Sequence, residues 1–223
     1  SLTAISGQSE VSDGLTDGLV EIEATDNKID TLIDEEDLVG VFGQEPEFLQ
    51  DESETSGARR GTLMHEALQW LPLQSYTKKA LGEALDGLVM AGHIKADERS
   101  VIRDYELWRF YQSDLAKRMR QSSRLEREFP FSMLWKANQL YPELDDTEDL
   151  FLQGIIDAAF IENGAWVLVD YKSDRVKEGE TLRERYGVQM RLYKAALERL
   201  TQVPVKEVII YSLALGQEVP VTI

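Results

Sequence analysis

The chain has 223 residues, enough for one well-packed core with an appendage, and it contains no cysteine. Missing thiols exclude disulfides, thiolate zinc sites and a cysteine-held Fe–S cluster in this chain, and they suit a reducing, cytoplasmic setting. No apolar run is long enough to span a bilayer and no signal-peptide pattern is present, so no membrane partner is expected.

A net charge of −17 argues against DNA binding until its distribution is read. Residues 1–55 hold sixteen Asp/Glu against one Lys; residues 56–223 hold twenty-five Asp/Glu against twenty-three Lys/Arg. The acidity therefore belongs to a leading segment, and the remainder is nearly neutral. Because affinity for a nucleic-acid backbone comes from clustered cations, that remainder is not expected to be a strong DNA binder by itself.

Residues 1–36 are polar, acidic and rich in Ser, Thr, Gly and Asp, the composition of a weakly structured segment. Residues 1–55 are read as an acidic linker or leader and residues 56–223 as the domain. Leu38-Val39-Gly40-Val41-Phe42 is an apolar island able to dock on that domain. The chain starts with Ser and carries no Gly-x-x-x-x-Gly-Lys-Ser/Thr phosphate loop, so it reads as a piece of a larger protein with any ATPase motor upstream.

Apolar residues at Leu63, Ala67, Leu68 and Leu71 predict a helix over Thr62–Leu71, stopped by Pro72. Thr77–Ala91 and Ala96–Arg120 read as two further helices, the first ended by Gly92. Leu125–Leu134 alternates as a strand, and Pro130 makes it an edge or bent one. Phe151–Ile161 and Ala165–Asp170 are apolar, β-rich runs joined by Asn163-Gly164, a hairpin signal. A helix over Leu182–Leu200, a strand over Glu207–Leu215 and, after the Gly216 turn, a short strand over Glu218–Ile223 complete the chain. The fold class is α/β, with the order αβββαβ, a central mixed sheet flanked by helices, and extra N-terminal helices.

The chemistry concentrates in Gly154-Ile155-Ile156-Asp157 and Asp170-Tyr171-Lys172. Alternation on a strand points Asp170 and Lys172 to one face and Tyr171 to the other, and the hairpin brings Asp157 beside Asp170. Two clustered carboxylates repel, and the usual remedy is a hard divalent cation between their oxygens. A neighbouring lysine can orient or deprotonate a water, or stabilise developing negative charge. The plainer reading makes the acids solubilising hairpin ends and the lysine an ion-pair partner. Against it, each acid closes an apolar run, Ile155-Ile156 or Leu168-Val169, where a carboxylate is poorly solvated.

Gly-x-x-Asp followed by Asp-x-Lys resembles the PD-(D/E)XK nuclease superfamily. With Arg60-Gly61-Thr62-Leu63-Met64-His65 upstream and Gln189-x-x-x-Tyr193 downstream, the order resembles the RecB-like branch. Arg127-Glu128-Phe129-Pro130-Phe131-Ser132 and Tyr211-Ser212-Leu213-Ala214-Leu215-Gly216 are similar to the C-terminal nuclease domains of the AddA family. The likeness runs from about Arg59 to the end.

The resemblance implies a Mg²⁺-dependent deoxyribonuclease, with Mn²⁺ as a substitute, inside a helicase–nuclease of double-strand-break repair and recombination. Its DNA substrate would come with a partner of the AddB family, and ATP would serve only the absent motor. It implies metal ligation by His65, Asp157, Asp170 and the Tyr171 carbonyl, with Asp157, Asp170 and Lys172 catalytic. Gln189 and Tyr193, four apart and so on one helix face, would hold DNA or order the lysine, and Glu128 would sit near the site in support. Without the resemblance, His65 and Tyr193 read as core or surface residues and Gln189 as a surface amide; His93, after its Gly92 stop, reads as a surface residue. Lys117, Arg118, Arg120, Arg124 and Arg127 form a basic run able to contact phosphates, and Arg175 and Lys177 follow the catalytic strand. Two other functions remain open: a catalytically silent module that binds DNA or a partner, and a stand-alone endonuclease.

Overall fold

A computed structural model describes residues 52–136 and 149–222. The acidic segment 1–36 and the island at residues 38–42 lie outside these residues.

Helix α1, Glu52–Trp70, starts ten residues before its predicted origin. Leu63, Met64, Ala67 and Leu68 form its buried stripe. Helix α2, Lys78–Met90, begins where the Thr77 side chain accepts from the Ala80 amide. It ends at Gly92, whose φ of +80° lets His93 N–H reach the Leu88 carbonyl and Gly92 N–H the Val89 carbonyl.

The single helix expected over Ala96–Arg120 is instead a short 3₁₀ turn at Arg99–Val101, helix α3 at Asp104–Gln112 and helix α4 at Asp114–Gln121. Ser113 causes the second break. Its backbone is extended, and its hydroxyl accepts from the Ala116 amide while donating to the Phe110 carbonyl. A serine offers the chain this alternative to continuing a helix. Ser113→Ala is expected to cost about 1 kcal/mol, read as a lower midpoint in urea unfolding with an unchanged slope.

Five strands follow: β1 Leu125–Lys136, β2 Asp149–Glu162, β3 Ala165–Lys172, β4 Val205–Ser212 and β5 Gln217–Pro220. They lie in chain order across one sheet. All neighbours are antiparallel except β3 and β4, which run parallel because helix α5, Gly179–Thr201, crosses between them. Pro130 is tolerated because β1 is the edge strand.

Two apolar layers cover the sheet. Helices α1 to α4 pack on one face over Phe160, Val167, Val169, Ile209 and Tyr211. Helix α5 packs on the other over Ile156, Trp166, Leu168 and Ile210. None of the described helices is long and apolar enough to cross a membrane.

The first two strands change face at one register position. In β1, Leu125 belongs to the layer of α1–α4 whereas Phe129, Phe131, Met133 and Trp135 belong to that of α5. In β2, Ile156 joins the α5 layer while Ala158 and Phe160 join the other. An ideal strand keeps residues two or four apart on one face. The two breaks lie opposite each other, at Glu128 and Asp157, between the pairs Arg127–Ala158 and Phe129–Ile156. Glu128 takes a φ of +51°, an unusual left-handed conformation for a bulky residue. At the same point β2 leaves β3, whose last pair with it is Ala158–Val169.

Candidate active site

The opening between β2 and β3 leads into a cleft of about 680 Å³. Arg60, Gly61, His65, Glu128, Lys172 and Tyr186 are among the residues that line it. Asp157 and Asp170 lie behind this lining, Asp157 against His65 and Asp170 against Lys172.

Asp157 stands where the ladder to β3 stops. Its Oδ2 accepts the Tyr171 amide at 2.7 Å, a side chain replacing the missing strand partner. Its Oδ1 lies 3.3 Å from His65 Nδ1, delivered by α1. Burial disfavours both charges, but each supplies the other's counter-ion. The pair outweighs burial, raising the His65 pKa to about 9 and holding the Asp157 carboxyl below its ordinary range. The histidine keeps 30% of its side-chain surface open toward the cleft, against 12% for Asp157.

Asp170 is different. Only 2% exposed, it is pushed up to about 6, first by burial and then by the charge of Asp157, with Lys172 opposing. Lys172 Nζ lies 2.9 Å from Asp170 Oδ2, an ion pair that occupies this buried oxygen. Burial lowers the affinity of Lys172 for its proton, yet Asp170 and Asp157 together outweigh it and raise its pKa. Lys172 is therefore a proton-bearing cation here, able to orient a water or offset negative charge rather than to deprotonate. Tyr171 points away from this pair into the α1–α4 layer, as alternation requires.

Helix α5 fixes the lysine. Lys172 Nζ donates to Gln189 Oε1 at 3.2 Å, and Gln189 Nε2 donates to the Tyr193 hydroxyl at 3.1 Å. Tyr186, one turn before Gln189, places its ring 4.1 Å from the ammonium and donates its hydroxyl to Asp174. The sequence reading missed Tyr186 and Asp174, although Tyr186, Gln189 and Tyr193 share one helix face.

Glu128 joins the constellation by its position opposite Asp157. Its pKa is raised, first by burial and then by the Asp157 charge. A left-handed backbone beside a cluster of like charges is the kind of local cost that folds retain at functional sites.

The basic run is mostly engaged elsewhere. Arg127 Nη1 donates to the Leu68 and Leu71 carbonyls at the end of α1. Arg124 pairs with Glu126 and lies over the Trp166 ring. Arg118 binds Glu162 and Glu207, and Arg120 donates to the Tyr111 carbonyl. None of these lines the cleft. Arg175 is exposed and close enough to Arg60 to repel it. His93 is exposed and stacks on Trp70.

An imidazole with several carboxylate oxygens suits a hard divalent ion, and Asp170, only 2% exposed, is a buried carboxylate whose charge such an ion would offset. As placed, no three His, Cys, Asp or Glu side chains among the described residues are gathered tightly enough to coordinate one ion. Two of the acids are instead compensated by the protein's own cations, His65 for Asp157 and Lys172 for Asp170.

Known proteins share much of this sequence. A relative from Clostridium botulinum (strain 657 / Type Ba4), named as an ATP-dependent helicase/nuclease subunit, is 36% identical over 173 residues, 75% of this chain and 14% of that protein. A protein of the same name from Syntrophomonas wolfei is 34% identical over 183 residues, 79% of this chain and 15% of its own length. The chain thus spans about one seventh of the relatives it matches. The model of the PD-(D/E)XK nuclease superfamily matches residues 38–218. That span takes in the interrupted hairpin, both acids, the lysine and the helix that orders it, and with it the chain belongs to the PD-(D/E)XK nuclease superfamily.

Proposed function

We propose that this chain is the metal-dependent, DNA-hydrolysing module of a helicase–nuclease that acts in double-strand-break repair and recombination. It would work in the cytoplasm beside an AddB-type partner, with the ATP-driven motor elsewhere in the same protein. The family and the names of its relatives support the reading. The observation that carries it is the buried Asp170 carboxylate paired at 2.9 Å with a protonated Lys172 that lines the cleft.

Asp157, Asp170, His65 as a neutral imidazole and the Tyr171 carbonyl would hold Mg²⁺ or Mn²⁺. When bound, the ion supplies Lewis-acid polarisation of the scissile phosphate and acidifies water. Lys172, steadied by Gln189 and Tyr186, presents an N–H to the attacking water and offsets charge on the phosphate oxygens. Asp170 fixes the ammonium. Glu128, whose raised pKa favours its proton, can accept from or donate to the same water layer. Tyr193 orients Gln189 and so acts on the lysine through it.

End-labelled linear DNA incubated with the protein tests the reading. Cleavage is expected with Mg²⁺ or Mn²⁺ and not with a chelator. Cleavage that survives the chelator, or none with either metal, would overturn it.

A further inference from the structure

Arg60 lines the cleft with His65 and Lys172 but has no role in the chemistry described above. Its position is built. A Cβ on the adjacent Gly61 would sit 3.1 Å from Ser173 Oγ, so α1 lies close against the segment that follows Lys172. That approach holds the half-buried Arg60 at the mouth of the cleft.

Two further guanidinium groups, Arg103 at the start of α3 and Arg175 after β3, lie near enough to repel Arg60, although Arg60 alone of the three lines the cleft. Burial and then the charges of Arg103 and Arg175 lower the Arg60 pKa, and Glu106 and Asp174 only partly compensate. Both acids also face other cations or donors, although the buried Glu106 Oε2 has no hydrogen-bond partner. Glu106 lies 3.5 Å from Arg103, while Asp174 accepts from Tyr186 and faces Arg185. Arg60 itself makes no ion pair or side-chain hydrogen bond with a described residue. A partly desolvated guanidinium facing like charges is stabilised by an anion that can accept its fork of donors.

The geometry points to Arg60, flanked by Arg103 and Arg175, as a positioning subsite for the backbone phosphate next to the scissile one in the bound DNA strand. The inference rests on the nuclease reading above. It assigns Arg60 to strand placement and not to the bond-breaking step, so KM and kcat should separate.

The test uses the 223-residue chain with a fluorescent single-stranded oligodeoxythymidylate. Anisotropy in Ca²⁺ across a salt series reads binding, and cleavage of the same probe in Mg²⁺ reads turnover. Arg60→Gln is expected to raise Kd and KM about tenfold, the worth of one charge-assisted hydrogen bond, with kcat nearly unchanged. The slope of log K against log salt should shrink by about 0.7, one released counterion on a single strand. Arg60→Lys should restore the slope and part of the affinity. Arg175→Gln, a change at an exposed side chain, should shrink the slope in the same direction, which guards against a folding defect at Arg60. An unchanged slope in Arg60→Gln with normal cleavage would overturn the subsite and leave the hydrolytic reading intact. A fall in kcat with unchanged Kd would also overturn it. An Arg60-dependent slope in a parent protein that never cleaves would overturn the hydrolytic reading and, with it, the placement next to a scissile phosphate, leaving Arg60 as a DNA contact only.

Discussion

Asp170→Ala is expected to abolish cleavage and weaken Mn²⁺ binding, whereas Lys172→Ala should abolish cleavage and keep the metal. The two residues touch, at 2.9 Å, yet their chemical capacities differ. A carboxylate can ligate a cation, and a protonated ammonium cannot. Losing a ligand should reduce cleavage by at least the order of 100-fold. Losing a preorganised donor to the reacting phosphate should cost on the order of 100- to 1000-fold in kcat. Two opposing effects act on metal affinity in Lys172→Ala. Removal of a cation relieves repulsion toward the ion, but it also removes the charge that keeps Asp170 from rising further above its ordinary pKa. Mildly alkaline buffer suppresses the second effect, so Mn²⁺ titration calorimetry there should find Lys172→Ala near the parent and Asp170→Ala weak. Equal cleavage by Lys172→Ala and the parent would contradict the assigned role of the lysine.

Gly154→Ala is expected to destabilise the protein by about 1–3 kcal/mol, the range for overpacking a filled core, and to lower cleavage even where the variant remains folded. No unusual backbone angle demands this glycine. A Cβ would fall 2.9 Å from two atoms of the Phe131 ring and 3.2 Å from the Tyr193 ring. The rings stack edge to face at 5.5 Å, so neither yields without moving the other. Tyr193 holds Gln189, and Gln189 holds Lys172, so a methyl group at Gly154 reaches the lysine through two side chains. Gly154→Ala/Phe131→Leu should recover part of both losses by removing the ring that meets the new methyl. Urea midpoints and kcat measured on the single and double variants check this. A Gly154→Ala protein with parental stability and kcat would show that the ring packing does not couple to the site.

Much of this architecture was legible in the residues. The hairpin was marked by Asn163-Gly164, and both residues adopt positive φ. Period-2 alternation in Val167-Leu168-Val169-Asp170-Tyr171-Lys172 sorted Tyr171 from Asp170 and Lys172, because side-chain direction on an ideal strand is a local property. Thr77, Gly92 and Pro130 announced a helix start, a helix end and an edge strand through their own backbone chemistry. Helix α3 was fused to α4 because their apolar spacing is continuous, and the Ser113 hydroxyl that divides them competes over only a few ångströms.

The sequence by itself determined the order of elements, the faces of β3 and the residue types of the site, since propensity, periodicity and ligand chemistry reside in the chain. Only the tertiary structure decided how those residues are used. The change of face at Glu128 and Asp157 arises where two strands separate from a third, a relation that no single strand contains. Compensation of Asp157 by His65 crosses 92 residues, and compensation of Asp170 by Lys172 depends on the low polarity around them. Assignment of Arg127 to the end of α1, and of Arg60 to the cleft, follows from helix packing against strand ends. A cation's role depends on which acceptors lie within reach, and reach is fixed only when the layers close.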